Sequence, residues 1–497
     1  MNKAYRLVWN DRTQALVAAC ETAVGRGKSA SCSGGGYCIK KLVAILSLAL
    51  GTTWGATPPA SNALPTGGVV ASGNATISQT QNNQTGTMVV NQSSANAVID
   101  WKGFNVGAGS SVNFNMPGSS SSVLNRVGGS DPSQIFGKIK SNGQVFLVNP
   151  SGVYFAPGAL VDVGALVATT HTISLNDFLA GNLSFNRNGS TGSVINEGQL
   201  KAGLSGYIAL LAPEVRNNGV VVAQAVAMAS GENIVLHIGS QGLASVSVTP
   251  SKVRALVDNG NLVLAPGGLV ILSAQAASDV LGGVVNNGGR IDAGSMTSEG
   301  GRVILSASSS LSQKGSINVA GTKGGTVQMT SAGDAAVSGS IDASAISAPG
   351  TAAGSGGSIS LAAAGNATVS QASLNVAGST GGSVSMQAGG NLSIANTVID
   401  AHGANTGGSV TLSGGTELTI ANSSINVSGN HAGGHVSLHG EQILSLNGVT
   451  VQARGVEAGG SVQVNAGESI VIQSSQIQVD AQGAGGAIDL QSNAVIA

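Results

Sequence analysis

The sequence predicts an all-β protein, a right-handed parallel β-helix (a solenoid) closed by an N-terminal cap. Three observations carry that reading. The first is a repeat. Gly-Gly pairs begin at Gly300, Gly324, Gly356, Gly381, Gly407, Gly433, Gly459 and Gly485, spaced by 24, 32, 25 and then four times 26 residues, and each leads into a short alternating apolar segment. A period in this range marks stacked, quasi-one-dimensional repeats. The second is composition: Gly is 75 of 497 residues, charged residues are 9%, aromatics 3% and apolar residues 42%. Scattered Gly and β-branched residues leave no long helical faces, Gly lacks the period of three of collagen, and the chain is too apolar and too nearly neutral for disorder. The third is a subdivision of each unit into three short strands. Gly408-Ser409-Val410-Thr411-Leu412, Glu417-Leu418-Thr419-Ile420 and Ser424-Ile425-Asn426-Val427 make one unit. Val410 and Leu412 face one side and Ser409 and Thr411 the other. Coils ~4.8 Å apart with ~22–26 residues each predict ~17–20 coils in a rod of roughly 80–95 Å.

From the N-terminus, Lys40-Lys41 precede the apolar run Leu42–Leu50. This is the charge-then-apolar pattern of a leader, too short to cross a bilayer, which needs roughly 20 apolar residues. Ser61-Asn62-Ala63 places small residues at −3 and −1 and predicts cleavage after Ala63, with Ala56 as a second candidate. Seven basic and two acidic residues lie ahead of the run, which leaves 14 basic and 20 acidic of the totals of 21 and 22 beyond it. No basic stripe remains to neutralise phosphates, which excludes nucleic acid as the partner. Cys20, Cys32 and Cys38 all precede the run as well. The mature chain therefore has no cysteine for a disulfide or a lipid anchor, and the leader cysteines have no assigned role.

The extra sequence ahead of the run, Met1-Asn2-Lys3-Ala4-Tyr5-Arg6-Leu7-Val8-Trp9-Asn10 with Glu21 and Gly27-Lys28 behind it, resembles the extended signal peptide of large Gram-negative exported proteins. These are autotransporters and the secreted partners of two-partner secretion systems. Beyond the leader come Leu64-Pro65-Thr66-Gly67-Gly68, Ile99-Asp100-Trp101-Lys102-Gly103-Phe104-Asn105-Val106-Gly107, Val123-Leu124-Asn125-Arg126-Val127 and Ile135-Phe136-Gly137-Lys138-Ile139. Together with Ser141 through Val153, they resemble the N-terminal secretion domain of filamentous haemagglutinin and the high-molecular-weight adhesins. That family carries an Asn-Pro-Asn-Gly-[Ile/Val] motif, which Asn149-Pro150-Ser151-Gly152-Val153 matches at four places, with Ser151 replacing the second Asn. A second family motif, Asn-Pro-Asn-Leu, is absent; Asn113-Phe114-Asn115-Met116 is a faint echo of it. The resemblance implies a signal peptide over 1–63, a capped secretion domain over 64–310 and β-helix repeats of about 26 residues over 311–497.

The residues give the motif a physical reading of their own. Val145, Leu147 and Val148 form a buried strand, and Asn-Pro-Ser-Gly is turn chemistry, with φ preset by Pro and positive φ admitted by Gly. Two roles for Asn149, Pro150, Ser151 and Gly152 stay open: recognition by a transporter, or a turn at one corner of a coil. The aromatics around it, Trp101, Phe104, Phe114, Phe136, Phe146, Tyr154 and Phe155, are expected to form the cap that closes the rod.

A second row runs in phase with the first: Asp292, Asn318, Asp342, Asn375, Asp400, Asn426 and Asp480, each after an aliphatic residue, with Gln452 in the same place. Asn and Gln interrupt the carboxylates, so the row reads as a solvent-facing polar position with an amide ladder rather than a cation or sugar-cleaving site. His431, His435 and His439 would suggest a metal on a helix. On a strand only His435 and His439 share a face, ~13 Å apart, too far for one ion with ~2 Å bonds. No nucleophile–base constellation, nucleotide loop or carboxylate pair is present. The chain is expected to be no enzyme and to hold no cofactor or metal.

The leading expectation is an exoprotein of a two-partner system, of adhesin or haemagglutinin type, secreted or held at the surface of a Gram-negative cell. It would cross the inner membrane by the general secretion machinery and the outer membrane through a β-barrel transporter, and would meet host-cell or bacterial surface receptors. The alternatives are the stalk of a contact-dependent inhibition toxin, a β-helix carbohydrate-active enzyme and a haem- or iron-scavenging exoprotein. The repeat continues to within a few residues of Ala497, which reads as a rod without its tip.

Overall fold

Each Gly-Gly pair leads into one strand of a sixteen-stranded sheet, and the pairs stack because neither position carries a side chain. Ser409–Gly414 lies between Ser383–Ala388 and His435–Gly440, with Val410 in register with Val384 and Val436. A Cβ on Gly408 would lie 2.1 Å from the carbonyl oxygen of Gly382 one coil back, and one on Gly434 would lie 2.0 Å from that of Gly408. The Gly408 amide instead donates to Ala401 O at 2.8 Å and closes the corner of its own coil. The expected three strands per unit are found as Ser409–Gly414, Glu417–Ala421 and Ser424–Asn426. The second and third belong to a 28-stranded sheet that turns the other two sides of the coil. Val410, Leu412, Leu418, Ile420, Ile425 and Val427 all point into one column and are buried.

The structure is a computed structural model that describes residues 5–10, 15–20, 57–203, 205–240, 242–278, 280–347 and 354–496. The chain divides into two units, Met1–Ala56 and Thr57–Ala497. In the first, Tyr5–Asn10 pairs antiparallel with Ala15–Cys20. The apolar run, Cys32, Cys38 and Ala56 lie outside the described residues. The second unit is a parallel β-helix.

Its sixteen-stranded side falls short of the expected ~17–20 coils because two stretches of chain do other work. One is the cap. Val69–Ser72 runs antiparallel to Asn96–Trp101, and the hairpin Ala75–Gln81 with Gly86–Gln92 covers the open end, with Met88, Val90 and Leu64 turned into the core. The cap is thus an antiparallel hairpin, which corrects the expectation that the aromatics close the rod. Trp101, Phe104, Phe114 and Phe155 are spread through the core of the first coils, where Trp101 Nε1 donates to the buried Asn125 Oδ1 at 3.0 Å. Phe136 and Tyr154 pack edge to face on the outside, and Phe146 faces a second core.

That second core lies under an extension the sequence analysis did not anticipate. The chain leaves the coil to form the helix Leu175–Ala180, with Ser174 as its N-cap and Gly181 at φ 77° closing it. A three-stranded antiparallel sheet follows, made of Ser184–Asn186, Asn233–Gly239 and Gly242–Val248. Phe178, Phe185, Ile234 and Leu236 press on the outer faces of Gln144–Val148, Ala165–Thr169, Tyr207–Leu211 and Ala225–Ser230. Those strands are covered on both sides, and this is why they read as unbroken apolar runs where the later coils alternate.

Candidate functional site

Asn149 sits at the corner between Gln144–Val148 and Val153–Phe155 and is completely buried. Its carbonyl accepts from Gly152 N at 3.0 Å, and its Oδ1 accepts from Ser151 N at 3.0 Å, which makes a turn reinforced by the side chain. Its Nδ2 donates outward to Asp131 O and to Ser133 Oγ, both at 3.0 Å, and so ties the preceding coil's loop to this corner. Gly152 stands at φ 130°, which only glycine adopts without strain. Ser190 Oγ donates to Pro150 O at 2.7 Å, and a Cβ on Gly192 would lie 2.7 Å from that same oxygen. Pro150 and Ser151 are half-buried, and Ser151 Oγ reaches Gly129 O at 3.4 Å. The four motif residues therefore come together in one turn, and the Asn149 amide spends both its donors and its acceptor inside the fold.

From Ser190 the contacts continue into the extension. Arg187 donates to Ser190 O at 3.1 Å and forms a two-pronged ion pair with Glu232, at 2.9 and 3.1 Å. Arg187 is buried. Its hydrogen bond holds the Glu232 carboxyl below the ordinary range, against the opposing effect of burial. Beside them His171 is fully buried, with Nε2 at 2.9 Å from Gly231 O and no partner for Nδ1. Burial pushes its pKa down, so the neutral ring is the resident form.

Two ladders of polar side chains run along the coils. Inside the core, Asn196 Nδ2 donates to Asn217 Oδ1, Asn217 to Asn259, Asn259 to Asn287 and Asn287 to Gln313, at 2.7–2.8 Å each. Gln313 ends the series by donating to Gly315 O of its own coil at 3.0 Å. All five side chains are buried. The sequence analysis did not anticipate this ladder. The other ladder is the expected half-exposed row. Asn318 donates to Asp292 at 2.9 Å, Asn375 to Asp342 at 3.1 Å and Asn426 to Asp400 at 3.2 Å. Amide and carboxylate alternate here because an amide can donate to the carboxylate one coil back, whereas two stacked carboxylates would repel. The row continues through Gln452 to Gln478, not to Asp480. Asp480 pairs with Arg454 at 3.0 Å instead, which corrects its expected place.

The three histidines go separate ways: His431 meets Glu457, His435 meets Ser461 Oγ and His439 meets Glu441. Among the described residues no group of three or more His, Cys, Asp or Glu side chains is arranged to hold a metal ion. No helix among them is long and apolar enough to cross a membrane. Ala63, the expected cleavage position, is half-buried beside the cap, and Leu64 is buried.

Comparison with known proteins adds three findings. Residues 62–319 match the model of the TPS secretion domain, and residues 1–50 match that of the extended signal peptide of type V secretion systems. A heme/hemopexin-binding protein of Haemophilus influenzae is 33% identical over 274 residues, 53% of this chain and 29% of that protein. A second Haemophilus influenzae protein of the same name is 29% identical over 243 residues, 44% of this chain and 26% of its own length. The chain thus spans less than a third of the length of either relative. The crystal structure of the HMW1 secretion domain from Haemophilus influenzae superposes with a TM-score of 0.54 at 23% identity, over 86% of this chain and all of that one. That likeness shows the shared fold.

Proposed function

We infer the working of this rod from the premise that the chain belongs to the TPS secretion-domain family, the exported members of two-partner secretion systems. The extended signal peptide and the secretion domain send it across the periplasm of a Gram-negative cell to the surface or the medium, and imply a dedicated outer-membrane transporter. The finer reading is a non-enzymatic adhesin whose repeats hold a binding surface, for a host-cell or bacterial receptor, away from the secretion domain. The division we propose is a leader, a secretion domain to about residue 310 and a repeat rod over 311–497. The buried amide ladder supports the second boundary, because it closes on itself at Gln313.

For Asn149, Pro150, Ser151 and Gly152 we propose the corner-turn role. The observation that carries it is the Asn149 side chain, which is buried with every hydrogen-bonding group engaged and so has nothing left to offer a partner once folded. The experiment pairs Asn149→Ala with Ser151→Asn, both expressed with and without the cognate transporter. The corner reading expects Asn149→Ala to retard release in proportion to its loss of stability and Ser151→Asn to be released normally. Release abolished in an Asn149→Ala protein of unchanged stability would favour direct recognition. A second reading, capture of haem or its carrier, is favoured by the name of the two relatives. A haem titration of the secreted protein that gives no Soret shift would remove it.

A further inference from the structure

Residues 60–63, ahead of the first strand of the cap, are built into the fold. Ser61 O accepts from Gly109 N at 2.8 Å and from Ser110 Oγ at 3.1 Å, and Ala63 O accepts from Gly107 N at 2.9 Å. Ala63 N donates to Ala60 O at 2.8 Å and folds the segment back on itself. Its side chains reach the cap hairpin. Asn62 Nδ2 donates to Asn82 O at 2.6 Å, Asn62 O accepts from Gln81 Nε2 at 2.6 Å, and Ser61 Oγ donates to Gln84 O at 3.0 Å.

The cap also leaves room for this segment. A Cβ on Gly107 would lie 2.1 Å from Ala60 O and 2.4 Å from Ser61 O, with nothing else nearer. On Gly86 it would lie 2.7 Å from Asn62 O. Glycine at 107 is therefore required by residues 60 and 61, which supply the three atoms nearest to such a Cβ. Cleavage after Ala63 would remove at least one partner of every hydrogen bond just named.

We propose that the leader is removed ahead of this segment, at the Ala56–Thr57 bond, so that Thr57–Ala63 is the first piece of the mature cap. The reaction is hydrolysis by a leader peptidase that accepts small side chains. One water is consumed, the amide bond breaks, a carboxylate is left on Ala56 and an α-amine on Thr57. Ala56 puts a small residue at −1 and Gly55 one at −2, with Trp54 at −3, and the bond follows the apolar run Leu42–Leu50 after a short spacer. The proposal rests on the presence of a leader and not on the transporter or the receptor.

The test is the N-terminus of the protein that cells export, read by intact mass and N-terminal sequencing. A chain that begins at Thr57 is expected; one that begins at Leu64 overturns the proposal. Pulse-labelled cells carrying Ala56→Leu or Ala63→Leu give an independent reading, because the leader is cut from an unfolded chain and the result does not depend on folding. Precursor should accumulate with Ala56→Leu and be processed at the normal rate with Ala63→Leu. The reverse pattern refutes it.

Discussion

Replacing Asn217 by Leu tests the energetic weight of the buried ladder. The amide accepts from Asn196 and donates to Asn259, both at 2.8 Å and out of contact with water. Leu branches at the same atom and is the larger side chain, so no cavity forms and any overpacking adds to the loss. The Asn196 N–H and the Asn259 Oδ1 are each left without their partner, at about 1–3 kcal/mol apiece, so the loss is about 2–6 kcal/mol. The control is Asn375→Ala, in the half-exposed row, where water replaces the lost contacts with Asp342 and the Ala377 amide and the cost is about 0.5–1.5 kcal/mol. Trp101 is the only tryptophan beyond the leader and lies in the core of the first coils, so its fluorescence follows the unfolding of this part of the rod. With a urea slope of about 3 kcal/mol/M, Asn217→Leu should lower the midpoint by about 0.7–2 M. A shift no larger than that of the control would refute the claim that the inner ladder holds the coils together.

The remaining predictions concern the pH response, the corner and the glycine row. His171 has a depressed pKa in the fold, so the unfolded chain takes up a proton that the native protein refuses. Its stabilising contribution is present above about pH 6.5 and is lost as pH falls below that value; Glu232, also depressed, adds a further loss through the carboxylate range. His171→Gln keeps a donor for Gly231 O without a titrating group, and a plot of Tm against pH between 7.5 and 5.5 should be flatter than that of the parent. Asn149→Ala leaves Ser151 N, Asp131 O and Ser133 Oγ without their partner and should cost about 2–4 kcal/mol by denaturant titration; a loss under 1 kcal/mol would contradict the corner role. Gly408→Ala, with its Cβ 2.1 Å from a backbone oxygen, should expose the middle of the rod to protease, while Gly485→Ala, with nothing within 4 Å, should not.

The repeat was legible in the sequence because its cause is steric and local. A Cβ fits at neither glycine of the pairs from Gly300 to Gly460, so the chain repeats glycine at each of these coils, and the strands between them alternate because only one face is buried. The corner at Asn149 was legible as a turn for the same reason. Register was not. Asp480 and Gln478 both follow aliphatic residues, and the backbone choice at Ser474, with φ 47°, selects which of them joins the row. The extension was hidden for a different reason: its helix has six residues and no amphipathic period to read. The only trace it left is indirect, in the two-sided burial of Ala165–Thr169, Tyr207–Leu211 and Ala225–Ser230. The inner amides are invisible because an Asn or Gln one or two residues ahead of Gly looks the same whether its side chain turns in or out.

The inner amides also have a sense of direction. In every step the N–H belongs to the earlier coil and the oxygen to the later one, from Asn196 through to Gln313. A chain that emerges N-terminus first and winds as it appears therefore always ends in an unspent N–H, which only the next turn of its own sequence can satisfy. A half-wound rod is in this sense an adhesive end with one matching piece. At Gln313 the longer side chain bends back to Gly315 and spends the last donor at home, so the inner ladder has a defined place at which it ends while the coils run on.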